Sequence, residues 1–209
     1  MKKIISLILI AVLLFTICSC GKEKNREYDE EEVKAAAQDL IQKSKKLNEI
    51  FWGKGIPYVE DDSYKKGQYY PADPEYLSKI GMESVIEILS ETEKVFSKSY
   101  TDSISRSVFS AKTGDYGMSG YTRYYQGIEV IMVYTRYSPL LTDEVTYLVD
   151  QITVIGSKGE KVIVKVPVKV TRGDVSQTRE IEVDLIEEEN GWRIDSPTYT
   201  VYRSDETSK

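Results

Sequence analysis

Lys161-Val162-Ile163-Val164-Lys165-Val166-Pro167-Val168-Lys169-Val170 alternates cleanly. Valine stands at every even position, and lysines 161, 165 and 169 stand on the other side. A period of two is that of a β-strand with one buried and one wet face. Pro167 falls in the outward set and has no N–H to give a ladder, so it predicts an edge strand or a bulge.

Reading outward from this stretch gives more strands. In Thr178–Glu187, Ile181, Val183 and Leu185 point one way, and Glu180, Glu182 and Asp184 the other. Trp192–Tyr202 places Trp192 and Ile194 on one face, whereas Tyr199 and Val201 have the opposite parity. That change predicts a bulge near Ser196-Pro197. Upstream, Tyr147–Ile155, Tyr121–Tyr125 and Ile128–Tyr137 read as strands, the last apolar on both sides and so expected to be covered on both. Gly156-Ser157-Lys158-Gly159, Arg172-Gly173-Asp174 and Glu189-Asn190-Gly191 are the turns of an antiparallel meander.

Before residue 120 the period is helical. Val33, Ala36, Ala37, Leu40, Ile41, Ser44, Leu47, Ile50 and Phe51 mark an amphipathic helix over 30–52, with Asp29 and Glu32 as a capping box and Gly53 as its stop. Residues 53–72 read as a long irregular loop. Asp73-Pro74-Glu75 starts a short helix that ends at Gly81. A second stretch uses Val85, Ile88, Leu89, Thr92, Val95 and Phe96, and a third helix is expected over 102–110. Helices followed by a meander give an α+β fold, with N-terminal helices packed on a bent antiparallel sheet.

The N-terminus reads as an export signal. Met1-Lys2-Lys3 precedes an apolar run from Ile4 to Ile17, shorter than the roughly 20 residues a spanning helix needs. Ile17-Cys18-Ser19-Cys20 resembles a bacterial lipobox, which implies cleavage after residue 19 and lipidation (palmitate and related acyl chains) of Cys20. The expected organisation is a signal peptide over 1–19, a tether over 20–28 and one domain over 29–205. The chain would be extracytoplasmic, held on the outer face of the cytoplasmic membrane. Both cysteines lie at this signal, so the domain cannot form an internal disulfide.

Removal of 1–19 takes two lysines from the 28 basic residues, leaving 26 against 34 acidic ones, a net charge of −8. This argues against nucleic acid as a partner, because phosphate binding needs a positive surface, and it suits a basic partner. The chain has no histidine. Ser-His-Asp and Cys-His catalysis are therefore excluded, and no motif points to a Ser–Lys dyad. No cofactor or metal site is expected, and the protein reads as non-catalytic. Gly114, Gly117 and Gly120 mark a flexible loop. Glu60-Asp61-Asp62 and Glu187-Glu188-Glu189 lack the spacing of a calcium loop. The 16 tyrosines suit half-wet sheet faces and binding surfaces.

The element order resembles the cystatin-like and NTF2-like cone folds, and Glu189-Asn190-Gly191-Trp192-Arg193-Ile194-Asp195-Ser196-Pro197 looks like their closing hairpin. It also resembles the IseA family, inhibitors of cell-wall DL-endopeptidases. The likeness rests on Phe51-Trp52-Gly53, Gly55-Ile56-Pro57, an aromatic loop and Gly191-Trp192-Arg193-Ile194. It implies an inhibitor that inserts an acidic or extended loop into a hydrolase cleft. The candidates are loops 58–70, 171–177 and 187–191, with Glu60, Asp61, Asp62, Asp174, Glu187, Glu188 and Glu189. The family is secreted, so a lipid anchor departs from it and bears on the site of action. The NTF2-like resemblance implies instead a small molecule or peptide held between helix and sheet, with Trp52, Tyr124, Tyr125, Tyr134 and Tyr137 lining the cavity.

Overall fold

The computed structural model describes residues 27–60, 68–110 and 121–200. The signal, Cys20, Asp61, Asp62, Gly114, Gly117, Gly120 and Val201 lie outside the described residues.

Helix α1 spans Glu30–Phe51. Asp29 caps it by accepting from the amides of Glu31 and Glu32. The Glu32 carboxylate does not complete the expected box; it accepts from Trp192 Nε1 at 3.0 Å and ties the helix start to the last strand. The buried stripe of α1 follows the sequence pattern from Val33 to Phe51. Helix α2 (Pro74–Ile80) starts at an Asp73 cap and stops at Gly81, which takes a left-handed conformation. Helix α3 (Val85–Glu93) carries a full capping box between Ser84 and Glu87. Helix α4 (Lys98–Val108) begins earlier than the expected residue 102, because Ser97 caps it.

Two antiparallel sheets follow. The small one has the order β1–β3–β2, from Tyr69–Pro71, Ile131–Tyr134 and Tyr124–Gln126 in that spatial order. The large one joins β4 (Glu144–Tyr147), β5 (Thr153–Lys158), β6 (Lys161–Arg172), β7 (Val175–Glu188) and β8 (Gly191–Ile194). It curls into a half-barrel, and the chain is an α+β cone-like fold. All five even-numbered valines of β6 are fully buried. Residues of α1, α4 and both sheets share one core. Removing this apolar surface from water supplies about 25 cal/mol per Å² buried.

Several expectations are corrected. Pro167 sits in a central strand, paired with Glu180 of β7. β4 and β5 share the opposite side of β6, covering 168–171 and 161–165. Pro167 faces the gap between them, where its carbonyl accepts from Leu148 N–H at 2.9 Å and no strand asks it for an amide. The Tyr147–Ile155 stretch is β4, a 3-10 turn at Val149–Gln151 and β5 rather than one strand. Gly156 lies inside β5 at a bulge instead of in a turn. Strand β3 is shorter than Ile128–Tyr137, and Ile128 is fully exposed. The expected loop 53–72 holds β1 and a bridge between Tyr58 and Ala72. No bulge flips the final strand. β8 ends at Ile194, Asp195 N–H reaches Asp184 O, and Thr198 turns inward between Asn48 and Ser44.

Candidate functional site

The C-terminus of α1 gathers three of the five aromatic candidates, through a residue the sequence reading did not single out. The Arg123 guanidinium is buried and donates to Phe51 O and Gly53 O, both at 2.6 Å. Its Cζ stands 3.9 Å from the centroid of Tyr137 and 5.4 Å from that of Tyr124. A positive group on terminal carbonyls complements the helix dipole, and ring faces add cation–π attraction. The Tyr124 hydroxyl donates to Ile50 O at 2.8 Å and accepts from Ile56 N–H at 3.0 Å. Burial pushes that phenol up to about 12. Gly55, at φ +82°, passes so close that a methyl group there would overlap both Arg123 Nη2 and the Tyr124 hydroxyl. Trp52 meets Tyr199 in a tilted ring pair with centroids 6.0 Å apart, and its carbonyl accepts from the amides of Leu140 and Leu141. Trp52, Tyr124 and Tyr137 thus pack a helix end onto the small sheet.

Tyr125 and Tyr134 are elsewhere, on the outward face of the small sheet. In register, Tyr69 opposes Tyr134, and Met132 opposes both Tyr125 and Pro71, so these side chains share that face. Tyr121 joins them. Ring centroids are 4.8 Å apart for Tyr121–Tyr134, 4.9 Å for Tyr69–Tyr125 and 5.3 Å for Tyr69–Tyr134. Tyr69 donates to Thr122 O at 2.8 Å, and Gln68 Nε2 donates to the Tyr121 hydroxyl at 3.1 Å. Desolvation raises the Tyr69 phenol. Tyr121 and Tyr125 remain 56% and 40% exposed, enough for both to meet a partner. The ring contacts within the patch, among the described residues, are between tyrosines. Tyr58 and Tyr70 stack at 5.6 Å along the same β1 edge. Sequence spacing gives no sign of either neighbour: strand pairing brings Tyr69 to Tyr134, and the segment before β2 lays Tyr121 on the same ring.

The five aromatic candidates therefore do not line one cavity. Beneath α1 the sheet interior is filled by the β6 valines, Val183 and Leu185. A groove of about 620 Å³ lies outside, between α1 and α3, above Leu47 and Met82. Its rim carries the ion pairs Asp39–Lys43 and Glu91–Lys94, and none of the candidates reaches it.

The acidic candidates are also dispersed. Glu60 is exposed, two residues after Tyr58. Asp174 is exposed at the tip of the β6–β7 hairpin. Glu188 Oε1 accepts from Lys98 N–H at 3.0 Å and so caps α4. Glu187 opposes Trp192 in register, and Glu189 is exposed in the last turn. Asp174 and Glu188 stand at opposite ends of β7, on the order of 40 Å apart at the rise of a strand, too far to enter one cleft.

Ser97, Asp195, Lys161 and Asp184 form a polar cluster. Lys161 Nζ lies 2.6 Å from Asp195 Oδ2 and 3.2 Å from Asp184 Oδ2, and Ser97 Oγ donates to Asp195. The hydrogen bond to Asp195, then that to Asp184, raises the Lys161 ammonium above its ordinary value despite some desolvation. Ser97 Oγ meets Asp195 and Lys161 Nζ meets the two carboxylates, so the four groups form an ion-paired network between β6, β7 and the start of α4. Among the described residues no group of three or more histidine, cysteine or carboxylate side chains is placed to hold a metal ion, and no helix is long and apolar enough to cross a membrane.

No protein-family model and no curated protein sequence matches this chain.

Proposed function

We propose that the chain is a lipid-anchored, non-catalytic protein of the cell envelope that docks on a cell-wall DL-endopeptidase and restrains it. The observation that carries this reading is the patch of Tyr69, Tyr121, Tyr125 and Tyr134. Tyrosine offers a rigid apolar ring with a polar tip at low entropic cost, and it is enriched at the energetic centres of protein interfaces. The four residues of the patch are tyrosines in a chain with 30% charged residues, and an interface core is rich in aromatic residues. The acidic chain favours encounter with a basic hydrolase. The resemblance to the IseA family supplies the partner class, and the lipobox at Cys20 supplies the place.

Full chain extracted in detergent is added to a secreted endopeptidase acting on isolated cell walls. Clearing slows with dose, and the double substitution Tyr125→Ala, Tyr134→Ala restores it. Unchanged clearing at molar excess overturns the reading. Mass spectrometry is expected to find acylated Cys20 as the first residue.

A further inference from the structure

The β6–β7 register fixes which way each backbone group of β7 points. In a strand, one residue's N–H and C=O lie on the same side. The Pro167 carbonyl points towards β4, accepting from Leu148. Its partner Glu180 therefore points away from β6, and so do the partners of the other odd β6 residues: Ser176, Thr178 and Glu182. Asp184 confirms the parity, since its amide meets Ser196 Oγ and its carbonyl meets Asp195 N–H on that outer side. β8 covers this edge only from Leu185 to Glu188. Beyond Asp195 the chain leaves this edge, and Thr198 turns inward to Asn48 and Ser44. Four outward amides and four carbonyls, from Ser176 to Glu182, have no partner among the described residues.

We propose that this edge receives an extended strand from another protein, lying end to end with β8 and bearing Lys or Arg at alternate positions with apolar residues between. Such edges are templates for strand addition. A guest residue opposite an outward-bonding position shows its side chain on the outer face, beside exposed Glu182 and beside Glu180, which is exposed too and also meets Lys165 Nζ at 3.2 Å. Directly opposed unlike charges stabilise a strand pair and like charges destabilise it. The residue between them falls on the inner face beside half-buried Ile181. The same two carboxylates disfavour a second copy of this acidic chain at the edge. The inference is independent of the tyrosine patch, which lies on the other sheet.

The test is residue-resolved amide exchange on the full chain with the peptide acetyl-Thr-Val-Lys-Val-Lys-Val-Thr-amide. The amides of Ser176, Thr178, Glu180 and Glu182 should slow by roughly tenfold or more as they become paired, while those of Gln177, Arg179 and Ile181, already in the ladder, do not change. The peptide with Glu for Lys should protect nothing. Thr178→Pro removes an outward N–H without touching the β6–β7 ladder and should abolish protection. Glu180→Lys with Glu182→Lys needs no backbone change and should transfer preference to the Glu peptide. Protection independent of peptide charge, no protection by either peptide, or an edge already protected in a dimer overturns the proposal.

Discussion

The two sheets solve opposite problems. The large sheet is built on β6 and β7, strands of 12 and 14 residues whose register runs unbroken from Lys161–Ile186 to Arg172–Val175. Its inward valines are excluded from water and its outward charges pair across the strands, as Lys165 does with Glu180 at 3.2 Å. The small sheet has strands of three and four residues. Strands that short cannot stand alone in water. They are held by contacts from outside the sheet: Arg123 to the end of α1, Tyr124 to Ile50 and Ile56, and Ala72 N–H to Ile131 O. A strand that does not bury its own outward face leaves that face free, and there the tyrosines stand. The large sheet holds most of the buried core, and the small sheet carries the exposed tyrosines.

The largest effect that would break this comparison is expected from Val166→Asp. An unpaired carboxylate in the dry face of β6 costs several kcal/mol, comparable with the about 5–15 kcal/mol a whole domain has. Circular dichroism should show loss of the whole fold, small sheet included. An ordinary cooperative melt near wild type would mean the two sheets are not one core. Arg123→Met should act second. It leaves the buried carbonyls of Phe51 and Gly53 without donors, at about 1–3 kcal/mol each. Amide exchange should then rise in 124–134 before it rises in β6. Arg123→Lys should not rescue, because one ammonium cannot reproduce the planar fork that spans both carbonyls.

The same contrast decides what could be read in the sequence. The valines of β6 needed only a period of two, and α1 only its heptad-like spacing and Asp29. Pro167 was legible as a break in pairing, but not as the position facing the gap between β4 and β5, since that gap depends on where two other strands end. Ile128 was placed inside a strand because it is apolar, yet the ladder stops at Ile131, and tertiary packing overrides propensity in short strands. Of the aromatic candidates, Tyr125 and Tyr134 do share a face, but Trp52, Tyr124 and Tyr137 serve the helix end. Arg123 was invisible: an arginine between Thr122 and Tyr124 gives no sign that carbonyls 70 and 72 residues earlier will be its partners.

Alkali should sharpen the comparison next. The Tyr124 phenol is raised from its ordinary value near 10 to about 12 by burial, and the Tyr100 phenol is raised too. For a group whose folded value is raised, stability is complete below the unfolded value and is lost as pH climbs through the folded one. Wild type should therefore weaken between about pH 10 and pH 12. Lys161, also raised by its carboxylates, adds in the same direction. Tyr124→Phe loses two hydrogen bonds and about 1–2 kcal/mol at neutral pH, but should show a flatter alkaline limb in thermal melts. An unchanged alkaline slope would remove Tyr124 from the account.

The smallest change in stability should come from Tyr125→Ala. The ring is two-fifths exposed; it meets Tyr69 at 4.9 Å and lies opposite Met132. Truncation there should cost less than about 1 kcal/mol of folding free energy, as for most surface sites. Its effect on partner binding should be larger, about 2 kcal/mol or more if the patch is the centre of an interface. The ratio of those two numbers is the discriminating measurement. A residue that matters through packing loses both together, as Arg123 should. A residue that matters through recognition loses binding at constant melting temperature. If Tyr125→Ala lowers stability as much as it lowers binding, the tyrosines are the glue of a small sheet and the contact surface lies elsewhere on the domain.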